Sequence, residues 1–237
     1  VAVNRTLDLL TSTLASGLSL GGGLRATHAA RQPEKLLELY EFENCPFCRR
    51  VREALSVLDL DAMIYPCPPG GSRYRSVVAE RGGKMSFPFL VDPNTNRQMY
   101  ESAEIVRYLA TTYGDGVVPL PLRLGPLTVA RLAAASLPRQ PFSRARPSVA
   151  PAQPLELYSF EASPFCRIAR EALSRLELPY VLHNVAKGSQ KREAFVARSG
   201  KMMVPFLVDP NTHSAMFESA DIARYVEESY GQSARPA

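Results

Sequence analysis

The residues best suited to covalent chemistry are two cysteines three apart, in Cys45-Pro46-Phe47-Cys48. A thiolate at Cys45 can attack a disulfide sulfur, and Cys48, one helical turn on, can resolve the mixed disulfide that results. Pro46 suits the first turn of a helix, where a missing N–H costs nothing and φ is already right. Cys45 then stands at a helix N-terminus, facing unpaired N–H groups and the positive end of the macrodipole, which favour thiolate over thiol. Arg49 and Arg50 are expected to add positive charge one turn away. The bland alternatives are an exposed thiol that does not turn over and, for Cys48, a small residue required by packing. The remaining cysteines, Cys67 and Cys166, do not extend the motif, and with three histidines in the chain no metal site is expected.

The elements that must position this motif occur twice. Leu37-Glu-Leu-Tyr-Glu-Phe-Glu returns as Leu155-Glu-Leu-Tyr-Ser-Phe-Glu, and Arg52-Glu-Ala-Leu-Ser as Arg170-Glu-Ala-Leu-Ser. Gly83-Lys-Met-Ser-Phe-Pro-Phe-Leu-Val-Asp-Pro-Asn-Thr returns as Gly200-Lys-Met-Met-Val-Pro-Phe-Leu-Val-Asp-Pro-Asn-Thr. The offset holds at 117–118 residues, so each repeat is a domain and not a solenoid unit. The second copy reads Ser163-Pro-Phe-Cys166; a hydroxyl cannot form a mixed disulfide, so this half is expected to lack thiol exchange. Cys166 fills the Cys48 position there without a first cysteine, which keeps the packing alternative for Cys48 open. Cys67, between prolines, reads as a strand-end residue.

Within each copy the pattern is strand, helix, strand, helix, strand, strand, helix. Leu36–Phe42 alternates as a strand does. Phe47, Val51, Ala54, Leu55 and Leu58 fall on one helical stripe, repeated by Phe165, Ala169, Ala172, Leu173 and Leu176. Short second strands are predicted at Ala62–Tyr65 and Tyr180–His183, and second helices at Tyr74–Arg81 and Lys191–Arg198. A hairpin follows around Asp92-Pro-Asn-Thr-Asn, then a last helix capped by Ser102 and ending near Gly114. Helices must cover both faces of a small mixed sheet.

The domain boundaries read as a partly helical lead-in segment (1–33), domain 1 (34–115), a Pro/Arg-rich linker with a second lead-in helix (116–153), domain 2 (154–232) and a tail (233–237). Leu7-Asp-Leu-Leu-Thr resembles Leu124-Gly-Pro-Leu-Thr at the repeat spacing. A targeting peptide has no reason to recur in mid-chain, so a lead-in helix is preferred to a presequence remnant. Apolar residues make up 46% of the 237, enough for a sizeable core. No apolar run approaches the roughly 18–20 residues that a spanning helix needs, so no transmembrane segment is expected. The formal charge is +5 without any long run of Lys/Arg, and no nucleic-acid partner is expected. Arg139, Arg144 and Arg146 form the densest basic patch; it reads as a solvated linker, or as contact with an acidic partner or membrane surface. A free connector of this composition should be mobile, so order in it would imply something that holds it down.

The element order, with Cys-Pro-Phe-Cys opening the first helix and Pro88 opening the third strand, resembles the thioredoxin fold. It is closest to glutaredoxins and the N-terminal domain of glutathione S-transferases, through Phe-Pro-Phe-Leu-Val followed by Glu101-Ser102. The whole chain resembles plant and algal tandem proteins with two such domains, which lie in plastids. The implied fold class is α/β, two tandem thioredoxin-like domains with mixed four-stranded sheets and no all-helical second domain. The implied cosubstrate is glutathione, with Cys45 and Cys48 catalytic. Phe87 would offer main-chain groups beside cis-Pro88, Glu101 would take the ligand ammonium and Ser102 its γ-glutamyl carboxylate. The second-domain equivalents are Ser163, Val204, Pro205, Glu218 and Ser219. Ser163 would either hydrogen-bond the glutathione thiolate or mark a degenerate structural half. Glu104 and Asp221 would oppose anion binding, and Lys84 and Lys201 read as solvated loop cations.

Two functions follow from the resemblance. One is a glutathione-dependent thiol–disulfide oxidoreductase or glutathionyl transferase acting on glutathione or protein disulfides. The other is a non-catalytic scaffold, two fused units forming a pseudo-dimer docked on a plastid protein complex. The location implied is the chloroplast stroma, with thylakoid association and peripheral membrane contact.

Overall fold

The computed structural model describes residues 10–13, 22–27, 31–123, 125–136 and 143–232. Domain 1 runs β1 (Leu37–Glu41), α1 (Pro46–Val57), β2 (Ala62–Pro66), α2 (Arg75–Gly82), β3 (Phe89–Asp92), β4 (Arg97–Met99) and α3 (Ser102–Thr112). Two linker helices follow, α4 (Leu120–Arg123) and α5 (Pro126–Ser136). Domain 2 repeats the order as β5 (Leu155–Ser159), α6 (Pro164–Arg175), β6 (Tyr180–Asn184), α7 (Arg192–Ser199), β7 (Phe206–Asp209), β8 (Ser214–Phe217) and α8 (Ser219–Tyr230). Most of the 1–33 lead-in segment and all of the 233–237 tail lie outside the described residues.

Each domain contributes four strands, and the two sets join into one eight-stranded sheet of order β4-β3-β1-β2-β6-β5-β7-β8. The joint is antiparallel: Ala62 pairs with Leu182, Met63 with Val181 and Ile64 with Tyr180. At the repeat offset of 118, Met63 is the counterpart of Val181, so the register obeys a pseudo-twofold axis through that pair. Strand alternation sends Leu37 and Leu39 to the face covered by α1 and α3, and Tyr40 to the face covered by α2. The first of these faces carries a core continuous across both domains, including Leu39, Leu55, Ile64, Leu157, Leu173, Tyr180 and Leu182. The other face is closed separately in each domain, around Tyr40 and Phe89 in one and Tyr158, Phe195 and Phe206 in the other. Phe47 and Phe165, predicted on the buried helical stripe, are exposed, since the first turn of each helix is not covered at that position.

Ionic contacts at the joint follow the same pseudo-symmetry. Arg52 reaches across to the Glu161 carboxylate (3.0 Å) and also contacts Glu41 and the Glu43 carbonyl. Arg170 reaches back to both Glu43 oxygens (3.0 Å each) and to Glu161 (3.0 Å). Burial opposes the charge on Glu161, but Arg170, Arg52 and Arg49 outweigh it and hold the carboxyl down at about 2.

The segments preceding the two domains cross over. The Ala26 N–H bonds the Lys187 carbonyl of domain 2 (2.8 Å) before the Arg31 N–H bonds Tyr113 of domain 1 (2.8 Å). In mirror fashion, the Ala145 N–H bonds Pro69 of domain 1 (3.0 Å) before the Val149 N–H bonds Tyr230 of domain 2 (2.8 Å). Helix α5 precedes domain 2 yet packs on α1, tied by Arg131 to Glu53 at 2.8 Å. Residues 10–13 are helical and touch the start of α6, where the Ser12 hydroxyl donates to the Pro164 carbonyl (2.7 Å). The described residues of the connector thus bond to the chain's own domains, so order in them needs no outside partner; Arg139 lies outside the described residues.

Candidate active site

Cys45 is the N-cap of α1 in extended backbone (φ −81°, ψ 120°), and its Sγ accepts the Cys48 N–H at 3.2 Å. The Cys48 thiol hydrogen bond is the largest influence on Cys45; aided by the Cys48 and Phe47 N–H groups, it overcomes burial and the nearby Glu41 charge. The Cys45 thiol is therefore held below its ordinary range. Burial, with the Cys45 sulfur next to it, pushes the Cys48 thiol well up. The pair has the asymmetry of a nucleophile and a protonated resolving thiol. All four cysteines are unpaired.

Several expectations need correction. Cys45 is 4% exposed and Cys48 fully buried, which removes the exposed-thiol alternative but leaves the sulfur nearly sealed from solvent, against the expectation of an open groove beside it. Arg49 and Arg50 are not what lowers Cys45. Arg49 turns into the domain joint, 3.5 Å from Glu53 and Glu161, and Arg50 bonds the Leu122 carbonyl. Their guanidinium groups lie at the ends of long side chains directed away from the helix start. Ser102 is the first residue within α3, not its cap; the cap position belongs to Glu101, whose φ is 64° and which makes no side-chain cap bond. Glu218 and Ser219 repeat this at φ 69°. Lys84 is more than a solvated cation: its Nζ lies 3.7 Å from Glu101 and 4.6 Å over the Tyr100 ring. Lys201 lies 4.4 Å over Phe217.

The remaining predicted residues lie at the third strand and the last helix of each domain. The Phe87–Pro88 and Val204–Pro205 peptide bonds are both cis. Among the described residues, neither Phe87 nor Val204 has a main-chain hydrogen bond, so each leaves N–H and C=O groups for an extended ligand to pair with. The Phe87 ring packs edge-on against Phe42 (6.0 Å) with the Arg75 guanidinium over it (4.8 Å). Glu101 is exposed and Ser102 buried in the first turn of α3. Glu104 and Asp221 are each paired, with Arg107 at 2.7 Å and Arg224 at 2.8 Å, which reduces their opposition to an anion.

Domain 2 keeps the frame without the thiol. Ser163 caps α6 at φ −75°, ψ 123°, and its Oγ accepts the Cys166 N–H at 3.2 Å. Cys166 is fully buried, with burial pushing its thiol up. Cys67 is likewise sealed, its thiol raised mainly by burial. Among the described residues no group of three or more His, Cys, Asp or Glu is arranged to hold a metal. No helix among them is long and apolar enough to cross a membrane.

The residue that sequence reasoning missed is Glu41. It shares the strand face of Leu37 and Leu39, beneath α1, and is 1% exposed. Burial and the carboxylates Glu43 and Glu161 push its carboxyl up to about 7 despite Arg52 and Arg170. The available signal was its loss in the repeat, where Ser159 stands in its place.

No curated protein sequence matches the chain. Among solved structures, a trimeric glutathione transferase from Leishmania aligns at 16% identity, over 81% of this chain and 68% of that one. Its TM-score is 0.29, and no argument rests on it. The family described as glutathione S-transferase, N-terminal domain, matches residues 39–116 and again 157–234, together well over half the chain. With that double match on two copies of one fold, the chain belongs to the glutathione S-transferase N-terminal domain family and carries the domain in tandem.

Proposed function

We propose that this protein is a glutathione-dependent thiol–disulfide oxidoreductase, or a glutathionyl transferase, working through a mixed disulfide at Cys45 of domain 1. The observation that carries the proposal is the Cys45 sulfur at the N-cap of α1, accepting the Cys48 N–H at 3.2 Å and held below its ordinary range. Main-chain groups of Phe87 beside Pro88, with Glu101 and the N-terminus of α3 around Ser102, take the tripeptide. Cys45 attacks the disulfide of the acceptor, the acceptor's thiolate leaves, and glutathione or Cys48 then releases the sulfur retained on Cys45. Ser163 lets domain 2 keep the helix cap but not the exchange, and Val204, Pro205, Glu218 and Ser219 form a second, weaker ligand frame. The experiment is glutathione-coupled reduction of a small mixed disulfide by the full chain beside Cys45→Ser. Turnover that disappears in the variant supports the enzyme; equal, negligible rates overturn it.

The scaffold reading is favoured by the shared sheet and core, which make the chain an internal pseudo-dimer with both first-helix caps nearly enclosed. Residence in the chloroplast stroma, at a thylakoid complex, belongs to that reading and rests on the resemblance to plastid tandem proteins. Recovery of a stoichiometric partner from plastid extract, with no turnover at Cys45, would decide for it.

A further inference from the structure

Helix α1 is buried from Cys48 to Val57, although only one side of it meets the sheet. Val51, Ala54, Leu55 and Leu58 form its stripe in the core, and at helical spacing Glu53 falls on the opposite side. Arg131 of α5 attaches at Glu53 (2.8 Å), and Arg50 ends on the Leu122 carbonyl of α4. Helices α4 and α5 therefore lie outside α1, as a third layer over the helices that cover the sheet. Residues 10–13 take the corresponding place at α6, joined to it by Ser12 and Pro164. The three most exposed large apolar side chains among the described residues all belong to this layer: Leu127 (70%), Leu120 (67%) and Leu10 (63%). Leu10 and Leu127 are counterparts in the repeat, 117 residues apart. Both domains turn the same sheet face to the shared core, so the pseudo-twofold axis runs at right angles to the sheet. Counterpart residues stand level along such an axis, and a flat surface perpendicular to it meets both leucines together.

The same segments are basic. Between Asp115 and Glu156 the chain carries Arg123, Arg131, Arg139, Arg144 and Arg146 and no acidic residue, and 1–33 adds Arg5, Arg25 and Arg31 against Asp8 alone. Arg131 and Arg146 are committed to Glu53 and Glu227. Arg123, three residues from Leu120, is exposed, and its guanidinium donates to the Val118 carbonyl, a neutral partner. We propose that this outer layer docks on an anionic lipid surface, with Leu10, Leu120 and Leu127 entering the acyl boundary and the arginines meeting the headgroups. A second copy of the chain pairing through this layer would set arginine-bearing segments against each other with almost no acidic residues to balance them. The two halves present their leucines at one level, which a flat interface satisfies at once and a single protein groove does not. The docking uses neither thiol, so it holds whether or not Cys45 turns over.

The test is co-sedimentation of the full chain with vesicles of phosphatidylcholine alone and of phosphatidylcholine containing phosphatidylglycerol at about 30%. Binding should be at least about tenfold tighter to the anionic vesicles and should fall away as salt is raised to about 0.5 M. Leu10→Ser combined with Leu127→Ser should weaken it at least about tenfold, and Arg123→Glu at least about fivefold. These side chains are exposed, so the variants should keep the wild-type thermal midpoint; Leu120→Ser replaces any that does not. Cys45→Ser should bind as the wild type does, which separates this outcome from the thiol-exchange assay. No binding to either vesicle, equal binding to both, or unchanged binding by the double leucine variant overturns the inference. So does association with polyglutamate but not with vesicles, which assigns the layer to an acidic protein. A dimer in sedimentation equilibrium that the double variant abolishes, without lipid binding, overturns it in favour of a second copy.

Discussion

Domain 1 and domain 2 hold their first-helix caps in nearly one geometry, a 3.2 Å bond from the N–H of the third helical residue, yet one cap atom is sulfur and the other oxygen. An orphan helix N–H accepts either atom, so the fold survives the loss of the nucleophile. What changes with it lies underneath. Glu41 becomes Ser159, Asn44 becomes Ala162 and Phe87 becomes Val204, while the arginines of the joint are unchanged. The comparison separates residues that the frame needs in both halves from residues present only where chemistry is possible.

The largest test of that division is to exchange the cap atoms. Cys45→Ser should reduce mixed-disulfide turnover to background, while the thermal midpoint shifts little because the serine keeps the N-cap bond. Ser163→Cys should give domain 2 a thiol at the same helix cap that alkylates and takes up glutathione as a mixed disulfide, read by mass spectrometry over time. A Ser163→Cys thiol that neither alkylates nor takes up glutathione would break the comparison.

Removing a shared frame residue should damage both halves at once. Glu161→Ala leaves Arg52 and Arg170 buried without a main partner, and should lower stability by about 3–5 kcal/mol in denaturant titration. A loss under about 1 kcal/mol would show that Glu43 and Glu41 can balance the two arginines without Glu161.

The carboxylates should separate by pH. Glu161, held at about 2, contributes stability that is present above the ordinary 4.5 and is lost as pH falls through about 2. Glu41, raised to about 7, has the opposite sign: the native state keeps its proton longer than the unfolded chain, so stability declines as pH rises from 4.5 to about 7. Glu41→Gln should remove that decline, measured as urea midpoints at pH 5 and pH 8; an unchanged decline would place it on another group.

The smallest effect concerns Arg49 and its counterpart Arg167. Arg167 donates to Glu171 (3.2 Å) and to Asn44 of the other domain (3.0 Å). For Arg49 the place of Asn44 is taken by Ala162, and among the described residues its buried guanidinium nitrogens have no hydrogen-bond partner. Ala162→Asn should restore the missing acceptor and stabilise by about 1 kcal/mol, visible in the thermal midpoint. Destabilisation would mean that the alanine is there for space.

Much of this was legible in the sequence because it is local or periodic. The strand–helix order, the Cys45 cap and the tandem copies follow from Pro46, the helical stripes and the repeated segments. The α3 start was misread at Ser102, since a serine before a helix is a good cap, whereas here the positive φ of Glu101 already turns the chain into the helix. Arg49 and Arg50 were credited to Cys45 on sequence distance alone, but a guanidinium acts where its long side chain ends.

The sequence by itself determined two copies of one domain, one with a nucleophilic sulfur at its first helix cap and one without, because dihedral preference, capping and alternation act within a few residues. Only the tertiary structure decided that the copies share one sheet and one core. It likewise decided that the described parts of each lead-in cross to the other domain and that Glu41 is buried beneath α1 against Arg52. Those outcomes depend on which strand edge pairs with which, and on charges brought together from residues over a hundred positions apart, where burial and long-range electrostatics set the result.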